Sequence, residues 1–139
     1  MNIVVIDGQG GKIGSLVIEQ LKKKLPGQTL TAIGTNTAAT AAMLRAGADF
    51  AATGENPVIV NAADADIIIG TIGIVVSNAL LGEITPAMAH AVGSSRAQKV
   101  LIPVNRCHTF VAGVQDLPLA DYAADAAAKV LELASARES

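Results

Sequence analysis

VVIDGQGGKIG, residues 4–14, is the stretch whose reading decides the fold. An apolar β-branched run ends in the carboxylate of Asp7, and four glycines and a lysine then fall within residues 8–14. From Lys12 the chain continues to Lys24 with Ile13, Val17 and Leu21 at helical spacing and a lysine triplet at the end, where the helix dipole is negative. The pattern predicts a strand over Asn2–Ile6, a tight turn, and a helix over Lys12–Lys24 that Pro26-Gly27 stops. The turn does not match G-x-G-x-x-G, because Ile13 stands where the third glycine would fall. It does match G-x-x-G-x-x-G, through Gly8, Gly11 and Gly14. Nor is it a P-loop, since no Gly-Lys-Ser/Thr closes it. In such a turn the first glycine permits the bend, the middle one lets backbone approach a pyrophosphate, and the last lets helix and strand pack closely. The unpaired N–H groups of the helix start form an anion site, beside which Lys12 can place a point charge. Gly8, Gln9, Gly10, Gly11, Lys12, Ile13 and Gly14 are therefore the expected phosphate-binding segment. The competing reading is a strand-to-helix turn with no ligand.

Outward from this unit, apolar β-branched runs alternate with helical patterns, the signature of a parallel sheet covered on both faces. Strands are expected at Thr29–Ile33, Phe50–Thr53, Ile67–Ile69 and Val100–Val104, with Thr109–Val114 as a sixth strand on an edge. Thr37 is placed to cap a helix ending before Gly47, Thr85-Pro86 to start one closed by Gly93, and Asp116 with Pro118 to open the last. TGENP, residues 53–57, reads as a loop. The expectation is one α/β domain over residues 1–139: a three-layer Rossmann-like fold with a mostly parallel sheet of five to six strands.

Composition narrows the partners. Charged residues are 16% of the chain and hydrophobic ones 51%, so much surface must be buried, and a homo-oligomer is expected. A net charge of −2 without a basic stripe, together with 2% aromatics, argues against nucleic acid. The uncharged run Ile67–Gly82 is broken by Gly70, Gly73, Ser77 and Asn78 and is shorter than the roughly 20 residues that span a bilayer. One cysteine forms no internal disulfide, and Asp7 interrupts any signal-peptide core, which implies a cytoplasmic protein.

In open α/β sheets ligands lie outside the carboxyl ends of the strands, which adds Thr35 and Asn36 after the second strand, Thr71 after the fourth and Asn105 after the fifth. Each can hydrogen-bond a sugar or base, although Thr35 and Asn36 also suit a turn and a helix cap. Two features fit a dinucleotide site poorly. Asp7 sets a carboxylate beside the pyrophosphate, and Gly34-Thr35-Asn36 holds neither the acid that takes a ribose 2′-hydroxyl nor an arginine for a 2′-phosphate. NAD and NADP both remain open. Cys107, flanked by Arg106 and His108, has the neighbours of an activated thiol but equally those of a small apolar filler. One cysteine and two separated histidines make no metal spacing, and Glu55 and Asn56 in TGENP are adequately explained by a turn.

GQGGKIG after VVID resembles the glycine turn of dihydrodipicolinate reductases and of extended short-chain dehydrogenases over the first strand, turn and helix. Over its whole length, through GTNTAATAAMLRAGAD, ATGENP, ADIIIGTIGI, LGEITPAMA and LIPVNRC, the chain resembles a family of short bacterial Rossmann-like proteins known only as a domain of unknown function. In length and layout it is also similar to the nucleotide-sensing regulator domains of potassium transport systems. The expectation is a nucleotide-binding protein, with NAD or NADP as the leading ligand. The alternative is a non-catalytic sensing module acting through oligomer contacts, since the sequence shows no substrate region beside the nucleotide domain.

Overall fold

The computed structural model describes residues 1–104 and 108–138. Five strands, β1 (Ile3–Asp7), β2 (Leu30–Gly34), β3 (Phe50–Thr53), β4 (Ile67–Thr71) and β5 (Gln98–Ile102), alternate with α1 (Lys12–Lys24), α2 (Thr37–Ala46), α3 (Glu55–Asp64), α4 (Pro86–Ser94) and α5 (Leu119–Glu138). One 3₁₀ turn, Ile72–Val75, follows β4.

The strands form one sheet, ordered β3-β2-β1-β4-β5, with every pairing parallel. β1 and β4 are buried at every residue, as central strands covered on both faces must be. Side-chain alternation divides the core in two. Ile3, Val5, Ile67 and Ile69 pack under α1, α2 and α5 through Val17, Leu21, Met43, Ala126 and Val130. Val4, Ile6 and Ile68 pack under α3 and α4 through Val58, Ala62, Met88 and Val92. The result is the expected three-layer Rossmann-like arrangement. Strand order reverses between β1 and β4, which puts the crevice at their carboxyl ends.

Several boundaries differ from expectation. TGENP is not a loop: α3 begins at Glu55, and Pro57 is tolerated because first-turn N–H groups have no helical partner. Asn36, not Thr37, caps α2, its side-chain oxygen accepting from Ala39 N–H at 2.8 Å. Residues 109–114 form no strand, so the sheet has five strands among the described residues. Thr85 caps α4 as expected, accepting from Met88 N–H at 3.1 Å with Pro86 at the first helical position.

Candidate functional site

β1 ends at Asp7, and the chain turns over Gly8–Gly11, closed by Gly11 N–H donating to Gly8 C=O at 2.9 Å. Gln9 (φ 50°) and Gly11 (φ 72°) are left-handed, and α1 starts without a side-chain cap. The helix start is instead served by Asp7. Its Oδ1 accepts from Gly8 N–H and its Oδ2 from Gly14 N–H, both at 2.8 Å. Asp7 is 3% exposed. Burial pushes its carboxyl above the usual range against the pull of these two N–H groups, and the Glu83 charge adds to the rise. Both oxygens of Asp7 are thus taken by N–H groups of the loop and the first turn of α1.

The glycines do different work. A β-carbon on Gly14 would lie 2.6 Å from Met43 Sδ and 2.9 Å from Asp7 Cβ, so this glycine lets α1 close on β1 and α2. One on Gly11 would lie 2.8 Å from Ala39 Cα, against α2 rather than against a ligand, which corrects the reason expected for the middle glycine. One on Gly8 would meet Thr35 Oγ1 at 2.5 Å and Glu83 Oε1 at 2.8 Å. At Gly10 nothing lies within 4 Å, and the backbone is not left-handed. The fold has no need of glycine there.

The N–H groups of Gly10, Lys12 and Ile13 donate to no described residue. They border a hollow of about 180 Å³ lined by residues 7–13 with Val104 and Leu119. Lys12 is exposed at its rim. A larger groove, about 490 Å³, runs between β5 and α5, away from this loop, past Lys99, Val100, Tyr122 and Lys129. It is open and gathers no sequence-predicted site residue, so size alone does not make it the candidate.

Thr35 and Asn36 do reach the glycine loop, and the group that joins them is Glu83. Glu83 Oε1 accepts from Thr35 Oγ1 at 2.5 Å, Asn36 Nδ2 at 2.8 Å and Gln9 N–H at 2.9 Å. Asn36 Nδ2 also donates to Gln9 C=O at 2.9 Å. Partial burial would raise the Glu83 carboxyl, but hydrogen bonds from Thr35, Gln9 and Asn36 outweigh it and hold the group below its usual range. Sequence reading missed Glu83 because it lies far from both loops in the chain. The available signal was an acid in the connection after a central strand, immediately before the Thr85-Pro86 helix start.

Thr71 ends β4 wholly buried, and its hydroxyl has no hydrogen-bond partner among the described residues. The β1–β4 register pairs Val5 with Ile69, and continuing it brings Thr71 level with Asp7 on the face that packs against α1. Asn105, Arg106 and Cys107 lie outside the described residues. His108 is exposed (φ 60°) and His90 lies on the surface of α4. Glu55 accepts from Thr85 Oγ1 at 2.5 Å, linking α3 to α4 rather than facing the glycine loop, and Asn56 is exposed beside it. No group of metal-ligating side chains occurs among the described residues, and no helix there is long and apolar enough to cross a membrane.

The chain belongs to the family described as a domain of unknown function (DUF3842), whose model matches residues 2–135. No curated protein and no solved structure matches it.

Proposed function

We propose that this protein binds a nucleotide through the Gly8–Gly14 loop, with a dinucleotide, NAD or NADP, as the leading ligand. One observation carries the reading. Three backbone donors of the loop, on Gly10, Lys12 and Ile13, bond no described residue and belong to residues that line a hollow at the start of α1, beside the crevice where strand order reverses. Unpaired helix-start N–H groups and the dipole behind them stabilise an anion. The space outside Gly10, which packing leaves open, lets a phosphate reach that backbone. Lys12 supplies a positive charge at the rim, while Asp7, which also borders the hollow, has both carboxylate oxygens occupied by backbone N–H groups. The hollow matches the phosphate part of the ligand alone, so the sugars lie along the open strand ends, towards Thr35 and Asn36 on one side and Thr71 on the other. A nicotinamide ring, where bound, supplies hydride chemistry; this chain's part is to bind and orient it.

The second reading is a cytoplasmic sensing module whose bound nucleotide alters contacts between copies. It is favoured by the exposed apolar side chains Leu44, Phe50, Ile59 and Val60, carried by edge strand β3 and the helices on either side of it in the chain. Neither nucleic acid nor membrane is a proposed partner.

A thermal-shift screen against NAD(H), NADP(H), flavins, adenine nucleotides and S-adenosylmethionine tests the binding. At about a hundredfold excess over Kd a bound ligand stabilises by roughly 2.7 kcal/mol, on the order of ten degrees for a domain of this size. Gly10→Val should keep the unliganded melting temperature and erase the shift. A shift that survives Gly10→Val, or no shift with any compound, sinks the assignment. Turnover of a metabolite mixture with the bound cofactor separates an enzyme from a sensor.

A further inference from the structure

We infer that Glu83 is the ribose-hydroxyl acceptor of this site and selects NAD over NADP, an inference that rests on nucleotide binding at the glycine loop. Three observations lead to it. First, β2 ends in Gly34-Thr35-Asn36 without an acid, yet the structure brings a carboxylate to that strand end from the connection between β4 and α4. Glu83 lies between the second residue of the glycine loop and the first residues after β2, bonded to both. A ribose that runs from a pyrophosphate on this loop toward the end of β2 passes Glu83.

Second, the carboxylate is ready to accept. Its three bonds all fall on Oε1, and Oε2 takes none from a described residue. Those bonds keep Glu83 ionised, and an ionised carboxylate accepts strongly from a sugar hydroxyl but repels a phosphate in the same place. The segment that delivers it is held in an unusual shape. Leu80 (φ 57°), Leu81 (φ 56°) and Gly82 (φ 88°) are successively left-handed, and Glu83 N–H closes the bend on Leu80 C=O at 3.1 Å.

Third, at the end of β4 the Thr71 hydroxyl is wholly buried with no hydrogen-bond partner among the described residues, a second polar group whose hydrogen bonding is left unfinished there. The glycine loop follows β1, Thr71 ends β4 and Glu83 is bonded to the residues after β2, so the three belong to neighbouring strand ends. Removing the charge at Glu83 should therefore act on the identity of the sugar rather than on binding as a whole.

Titration calorimetry with NAD⁺ and NADP⁺ against the wild-type chain, Glu83→Gln and Glu83→Lys tests this. The wild type should bind NAD⁺ at least about tenfold more tightly than NADP⁺, the size of one hydrogen bond to a charged acceptor. Glu83→Gln should lose about tenfold in NAD⁺ affinity and bring the two ligands close to parity, and Glu83→Lys should favour NADP⁺. The preference between two ligands does not move when a side chain merely holds a loop, and melting curves of the unliganded variants confirm folding. If both nucleotides bind and their ratio is the same in all three chains, the role of Glu83 is overturned and the glycine-loop site stands. If neither binds the wild type, both fall.

Discussion

Replacing Gly14 by alanine should destabilise the protein although alanine is the better helix former. Gly14 lies in the first turn of α1, so the substitution gains at most the roughly 1 kcal/mol of helix propensity that applies to an interior position. Against this, the new methyl falls 2.6 Å from Met43 Sδ and 2.9 Å from Asp7 Cβ. The methionine is flexible, but the Asp7 β-carbon is fixed to β1, so strand and helix must separate. Overpacking of this kind costs about 1–3 kcal/mol. Separation also stretches the 2.8 Å bond from Gly14 N–H to Asp7, and a hydrogen bond to a charged group is worth about 1.5–3 kcal/mol. With the middle values of both costs, subtracting the propensity gain leaves a net loss of about 3 kcal/mol. In urea, with a slope of about 2 kcal/mol/M, the middle of the usual range, the unfolding midpoint should fall by about 1.5 M. Gly10→Ala, four residues earlier with open space around it, should stay within about 0.5 kcal/mol of wild type. A Gly14→Ala variant as stable as wild type would refute the packing assigned to the loop.

Thr71→Val replaces a buried unpartnered hydroxyl by an isosteric methyl, so the unliganded protein should gain up to about 1 kcal/mol in urea unfolding. The same variant should bind NAD⁺ more weakly by calorimetry, and an equal or stronger affinity would remove Thr71 from the site. Asn36→Ala removes the cap on Ala39 N–H and both Nδ2 bonds, to Gln9 and Glu83, and should cost about 1–2 kcal/mol by the same denaturant assay. The pH dependence separates the two acids. Glu83 is held below its usual 4.5, so the stability it supplies is complete above that value and is lost as pH falls through the lowered one. The gap between wild type and Glu83→Gln should therefore close on acidification. Asp7 is raised above 3.8, so its contribution has the opposite slope, complete at low pH and declining as pH rises through the raised value. Unfolding midpoints of wild type and Asp7→Asn between pH 3.5 and 7 read that slope.

The sheet was legible because β1 and β4 are continuous apolar runs, and α1 because its periodicity and stop signals agree. α3 was hidden: in ENPVIVNAAD only Val58 and Ala62 are buried, and the Gly54 and Pro57 that frame its start are also turn residues. The expected strand at 109–114 rested on β-branched composition alone, with no neighbouring strand to pair it. Thr35 and Asn36 were expected beside the glycine loop from their place after β2, but the residue that joins them to it was not. Glu83 meets them across 48 and 47 residues of chain, a contact that propensity and spacing do not encode.

The glycine spacing itself was the clearest signal in the sequence, and the structure changes what it signals. Gly8, Gly11 and Gly14 are each explained by a protein atom within 3 Å of the missing β-carbon, so G-x-x-G-x-x-G is first a condition for α1 to close against β1, α2 and the Glu83 segment. A ligand is not needed to account for it. Gly10, which the fingerprint leaves out, is the residue whose lack of a side chain the packing does not use, and its N–H, like those of Lys12 and Ile13, donates to no described residue. Side chains at positions 8, 11 and 14 would damage the fold before they touched binding. Valine at 10 would do the reverse, filling only the space a phosphate takes, so Gly10 is where a ligand-binding loop and a bare turn make opposite predictions.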